Sequence, residues 1–372
     1  MNARRLAWMS ILLIGQLLYT VQGRADSWQH AVKSSISAEY DTNPIMSPTN
    51  SVSVWRALFE PGYALSGSMG DSVITAGLAV QMARSSNKIL SPDRDSPTIS
   101  FNWLRPSEAG AFGISTRYSE LATRDSGGVD ATGRVPESST RTLRNLSGTW
   151  SKELSEYSTL SADTAYEKIS YKGGGTYTDY SNRSGGLEVD YASSEQITSF
   201  FRVSGNKYMP AGGGPTSSNV GATLGVNWKF EYWDWTIQAG KVRIVGGNSD
   251  TQGSIAAHYT GQLAQVTLDA GRSFSPSGFG GFIKAVQARV SWSYALSEYT
   301  NTGVDLERQK TFATAMSGGG TNASSGVWID HNLTSLWKVR TYLRHRTSQG
   351  GWLESASSNM LGLSFAYDNT DF

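Results

Sequence analysis

The sequence predicts an all-β protein: a transmembrane antiparallel β-barrel of about eighteen strands, with sixteen as the alternative, and both chain ends in the periplasm. Three observations carry this. Hydrophobicity alternates with period two through the chain beyond residue 25, the pattern of strands with one apolar and one polar face. Several alternations last 9 to 13 residues, near the ~9–11 a tilted strand needs to cross a bilayer and longer than the ~5–6 of an ordinary strand. Trp and Tyr gather at run ends, where amphipathic rings prefer the headgroup level.

Composition agrees. The chain of 372 residues has 40 Gly, 12 Trp and 17 Tyr, no Cys, and a formal net charge of +1. Near-neutral charge argues against nucleic acid as a partner. The absence of Cys excludes disulfide frameworks, thiolate metal sites and Cys nucleophiles. Residues 1–25 read as a secretory signal peptide: Arg4 and Arg5, an apolar stretch from Leu6 to Leu18, then small residues at Gly23 and Ala25. Residues 26–372 then form the barrel.

The clearest strand is 219–232. Val220, Ala222, Leu224, Val226, Trp228, Phe230 and Tyr232 share one face, against Asn219, Gly221, Thr223, Gly225, Asn227, Lys229 and Glu231. Residues 286–296 repeat it, and weaker copies occur at 74–82, 112–118, 255–259 and 361–367. Residues 96–124 and 140–170 are the least regular. Within 235–245 the apolar parity changes, from Trp235, Ile237 and Ala239 to Val242 and Ile244; a bulge or an exit from the bilayer near Lys241 both explain it.

Connections alternate in kind. Short turns fall at 68–71, 105–110, 155–158, 193–196, 232–235, 262–265, 297–300 and 334–337. Between them lie loops rich in Gly, Ser, Asn, Asp and Pro at 41–50, 85–95, 125–140, 172–182, 210–218, 246–253, 275–281, 316–326 and 350–358. Eight short and nine long connections join about eighteen strands.

If the apolar parity faces lipid, the opposite parity lines a hydrated interior. Lys338, Arg340, Tyr342, Arg344 and Arg346 then form an inward column, joined by Arg117, Arg202, Lys229 and Arg289. Asp163, Glu167, Glu188 and Asp190 supply acid on earlier strands, and Asp269, Asp305 and Glu307 on later ones. Two arrangements are open: a transverse field between acidic and basic walls, or ion pairs between neighbours that stiffen the wall. Tyr342 and Trp328 are candidates for stacking on sugar rings.

Nothing points to an enzyme or a cofactor. There is no H-E-x-x-H or G-x-S-x-G, and Asp330 and His331, adjacent on a strand, point to opposite faces. The Gly triplets at 173–175, 212–214 and 318–320 lack the Lys-Ser/Thr of a phosphate loop.

Two stretches carry a family likeness. ISAEYDTNPI at 36–45 resembles the opening Y-D-x-N strand of the β-barrel porin type 2 family, whose members are found beside bacterial exopolysaccharide loci. At the chain end, Gly362, Phe365, Tyr367 and Phe372 resemble the assembly signal of outer-membrane proteins, although Phe372 falls off the apolar parity. The resemblance implies a barrel in the bacterial outer membrane, in contact with its lipid and with the barrel-assembly machinery. It further implies export of an exopolysaccharide with periplasmic polysaccharide-export proteins. A general diffusion porin for small polar solutes, and a sheath around a periplasmic electron-transfer protein, are the alternatives.

Overall fold

The computed structural model describes residues 27–123, 139–173, 177–312, 319–350 and 353–369. Residues 1–25, expected as a signal peptide, Phe372 and much of the loop at 125–140 lie outside the described residues.

Eighteen strands follow one another. They are β1 (Ser27–Asp41), β2 (Val54–Met69), β3 (Ser72–Ser85), β4 (Arg94–Ser107), β5 (Gly110–Ala122) and β6 (Thr140–Ser155). Next come β7 (Ser158–Lys172), β8 (Tyr180–Ala192), β9 (Ile197–Pro210), β10 (Ser217–Lys229), β11 (Trp233–Ile244) and β12 (Ser249–Thr260). The last are β13 (Ala264–Ser277), β14 (Gly281–Ala295), β15 (Thr300–Thr311), β16 (Gly320–Asn332), β17 (Trp337–Gly350) and β18 (Leu353–Asn369). Each pairs antiparallel with its sequence neighbours, and β1 pairs with β18 from Val32↔Asn369 to Asp41↔Met360. The sheet is therefore closed and has no edge. This is the larger of the two expected strand counts.

The alternation has the expected cause. Val220 and Leu224 on β10 are 52% and 65% exposed on the outside, while Asn219, Gly221 and Thr223, alternating with the outward residues, are buried inside. All eight anticipated short turns fall at one end of the barrel. One of the two-residue turns, Gly70–Asp71 after the Met69↔Ser72 pair, needs the left-handed φ of +57° at Gly70. Outward rings ring this short-turn end: Trp228 on Phe230, Trp233 on Tyr259, Trp292 on Tyr294 and Trp337 on Tyr367, with centroids 5.0, 5.1, 6.0 and 5.1 Å apart.

At the long-loop end strands extend further than the sequence suggested. Residues 249–253, 275–277 and 353–358, expected as loop, belong to β12, β13 and β18. The irregular 235–245 segment has no bulge: β10 and β11 stay in register from Asn219↔Ile244 to Lys229↔Asp234. Val242 lies on the interior face and is buried, while Lys241 and Arg243 point outward, so the strand leaves the apolar band near Lys241.

Candidate functional site

The interior wall is the candidate site. Arg117 (β5), Asp163 and Glu167 (β7), Glu188 and Asp190 (β8), Arg202 (β9), Lys229 (β10) and Arg289 (β14) occupy the strand faces opposite the exposed apolar side chains. So do Lys338, Arg340, Tyr342, Arg344 and Arg346 on β17. Most of their charges are matched locally. Arg202 reaches Asp163, two strands away, and lies 3.5 Å from Glu188 on the strand between. Gly186 makes that crossing possible, since a Cβ there would strike the Arg202 guanidinium. Gly186→Leu is expected to push Arg202 off Asp163 and lower barrel stability by roughly 1–3 kcal/mol, read from the urea midpoint of refolded protein.

Further round, Arg289 faces Glu307 at 3.2 Å, with Asp269 its partner in register on the other side. Arg340 grips Asp330 through Nε and Nη2 at 2.5 and 2.7 Å, and Lys338 adds a contact at 3.5 Å. The Arg340 guanidinium also stacks 4.7 Å from the Trp328 ring, whose Nε1 donates to Asp305 at 3.0 Å. The neighbour-pairing arrangement thus prevails over a transverse field. Four charges of the set make no ion pair with the described residues: Arg117, Lys229, Arg344 and Asp190. Asp330 and His331 do point to opposite faces; His331 Nδ1 is 2.9 Å from the Thr300 hydroxyl.

The closure between β18 and β1 is fastened from inside. Tyr342 lies across Gly362, which has no side chain to block it, and donates its hydroxyl to Glu39. Glu39 in turn accepts from Arg56 on β2 at 2.6 Å; both are almost fully buried. Above them Arg346 binds Asp41 at 2.6 Å, Ser358 donates to Asp41, and Asn43 donates to the Ser357 carbonyl at 3.0 Å. Asp41 and Asn43 belong to the Y-D-x-N stretch. In this chain, that motif holds the first strand to the last. Gly362→Ala is expected to expel the Tyr342 ring and cost roughly 1–3 kcal/mol by the same unfolding measurement.

One end of the interior is crossed by the chain. β12 and β13 stop pairing beyond Gly253↔Arg272, whereas β13 and β14 pair to Ser277↔Gly281. The freed β13–β14 tip bends inward, so its outer side lies on the inner wall of β7–β9. Phe282 packs with Tyr208, Tyr180 and Ile169, Phe279 packs on Tyr177, and Thr178 N–H donates to the Gly278 carbonyl at 2.7 Å. Asp250, inward on β12, binds Arg272 and, at 2.8 Å, Lys284 on that outer side. The tip therefore spans the arc of β10–β12 and narrows the long-loop mouth.

The sequence did not disclose this hairpin. Its one trace is apolar residues on the interior parity near the loops, Ile169, Tyr180, Tyr208, Ile283 and Ala285. Glu39, Asp41 and Arg56 were also missed, because parity assigns a face but not a partner two strands away.

A closed eighteen-stranded barrel with an apolar exterior and a polar, charged interior defines an outer-membrane barrel of porin architecture. No family model matches the chain, and no curated protein matches it. Solved structures do. The outer membrane protein OpdK from Pseudomonas aeruginosa matches at a TM-score of 0.51 and 11% identity, over 93% of this chain and 100% of that one. A BenF-like porin from Pseudomonas fluorescens Pf-5 gives 0.51 and 10%, over 93% and 100%. Against the FrpB iron transporter (F3-3 variant) from Neisseria meningitidis the TM-score is 0.49 at 9% identity; the match covers 89% of this chain and 63% of FrpB's length. At such identities the likeness is one of fold.

Proposed function

We propose that the barrel is a passage for small polar solutes through the outer membrane, its long-loop end outward. The inward β13–β14 tip carries this reading: it restricts the mouth while leaving the wall polar. Charges of both signs stand on the wall without an ion pair among the described residues: the cations Arg117, Lys229 and Arg344, and the carboxylates Asp190, Asp269 and Asp305. Charges of both signs in comparable number favour polar solutes of either charge over one sign alone. The fold shared with porins supports a passage of some kind.

Planar-bilayer recordings under a KCl gradient test it. The native barrel is expected to conduct with a reversal potential near zero, and Arg117→Gln/Lys229→Gln/Arg344→Gln to move that potential to the cation side while conduction persists. Absence of conductance from the folded native barrel would overturn the reading.

Exopolysaccharide export is the second reading, favoured by the Y-D-x-N resemblance. Against it, Tyr342 is held by Glu39, Trp328 by Arg340 and Asp305, and the inward tip reduces the width open to a polymer. Deleting the gene separates the two: loss of secreted polymer with unchanged small-solute uptake supports export.

A further inference from the structure

The outer surface of β6–β9 carries a cluster of bases that the passage does not use. Arg144, Lys168, Arg183 and Lys207 lie one on each of these four adjacent strands. Each shares parity with exposed apolar side chains of its own strand, Leu146, Tyr166, Leu187 and Val203 respectively, so all four point away from the barrel. Each lies on the long-loop side of that apolar residue, two or four positions along the strand. The register sets them in couples: Arg144 is directly opposite Lys168, and Arg183 directly opposite Lys207.

Like charges directly opposite on neighbouring strands are destabilising by themselves. None of the four makes an ion pair with the described residues. Arg144 and Arg183 rest over the rings of Tyr118 and Tyr166, 6.0 and 5.9 Å from the centroids, which turns their guanidinium groups along the surface. The carboxylate on the outward face of β5, Glu120, is taken by the Tyr118 hydroxyl and approached by Lys172 at 3.9 Å. The short-turn end has rings at the corresponding boundary; here the boundary has cations. An unmatched row of cations along the upper edge of an apolar band fits a ligand with phosphate above and acyl chains below.

We propose that this face binds a phosphate-bearing glycolipid of the outer leaflet, one phosphate set between Arg144 and Lys168 and another between Arg183 and Lys207. Acyl chains lie down the surface of Leu146, Leu187 and Val203. A phosphate accepts from two cations at once, which turns each repulsive couple into a chelate. The inference rests on the long-loop end facing outward.

The test uses the full barrel refolded in detergent and native mass spectrometry. The probes are bisphosphorylated lipid A, the same lipid stripped of its phosphates, phosphatidylglycerol and inorganic pyrophosphate. Retention of the bisphosphorylated lipid is expected, weaker by roughly tenfold or more for the stripped form and for R144Q/K168Q/R183Q/K207Q. The outward pair R308Q/K310Q, on β15, should retain it as the native barrel does. Folding is checked by heat-modifiable migration on gels; if the quadruple variant does not fold, R144Q/R183Q, which removes one member of each couple, replaces it. Equal retention of the stripped lipid, of phosphatidylglycerol or by the folded variant overturns the proposal, as does displacement by pyrophosphate at equal concentration. Labelling of Lys88→Cys in intact cells tests the orientation separately, and conductance tests the passage.

Discussion

Arg56→Ala is expected to lower the unfolding free energy of the barrel by about 3–5 kcal/mol, the range for removing one partner of a buried ion pair. Glu39 would be left almost without solvent, with only the Tyr342 hydroxyl to share its charge. Urea unfolding in detergent or lipid vesicles measures the loss. Replacing both charges, as Glu39→Met/Arg56→Met, should recover much of it, because apolar groups of similar volume carry no desolvation cost. A loss below about 1 kcal/mol for Arg56→Ala would mean that the pair behaves as an exposed one, and the interior closure would then contribute little.

Phe282→Ala combined with Asp250→Ala is expected to widen the passage. The ring is buried against Tyr208 and Tyr180, and truncating such a ring typically costs about 3–5 kcal/mol of packing. Asp250 is the common partner of Arg272 and Lys284, so its loss frees the other side of the tip. The penalty falls on the docking of the β13–β14 tip, since among the described residues Phe282 is in register with Pro276 of the same hairpin alone. Single-channel conductance should therefore rise and larger neutral polymers should enter, while the unfolding midpoint of the barrel moves little. Unchanged conductance with a lowered midpoint would show that the tip supports the wall rather than restricting flow.

Much of the fold was legible in the sequence because two solvents write the pattern. Along 219–229, lipid demands Val220, Ala222 and Leu224 while the wet interior accepts Asn219, Gly221 and Thr223, and the alternation survives intact. Above the apolar band that demand ends. The parity change at Val242 marks the place, and 249–253, 275–277 and 353–358 read as loops though they are paired strands. The interior charges were placed on a face by parity alone. Who meets whom depends on register and on gaps such as Gly186 and Gly362, which no periodicity reports. Opposed acidic and basic walls therefore gave way to pairs such as Arg202 with Asp163 and Arg340 with Asp330. The inward tip was hidden for a related reason. SPSGFGG has the composition of any surface loop, and its docking partners stand on β7, β8 and β9.

The bonds across β18 and β1 join residues 303 to 317 positions apart, nearly the two ends of the polypeptide. No partly delivered chain can make them, and the entropy of bringing such distant segments together must be met before they form. Until β17 and β18 arrive, Glu39 and Asp41 have no hydroxyl or guanidinium from that side, and the first strand is paired along β2 alone. Completion of the cylinder thus brings Asp41 its guanidinium and Glu39 its second partner in a single late event, and a truncated product leaves Asp41 without that cation.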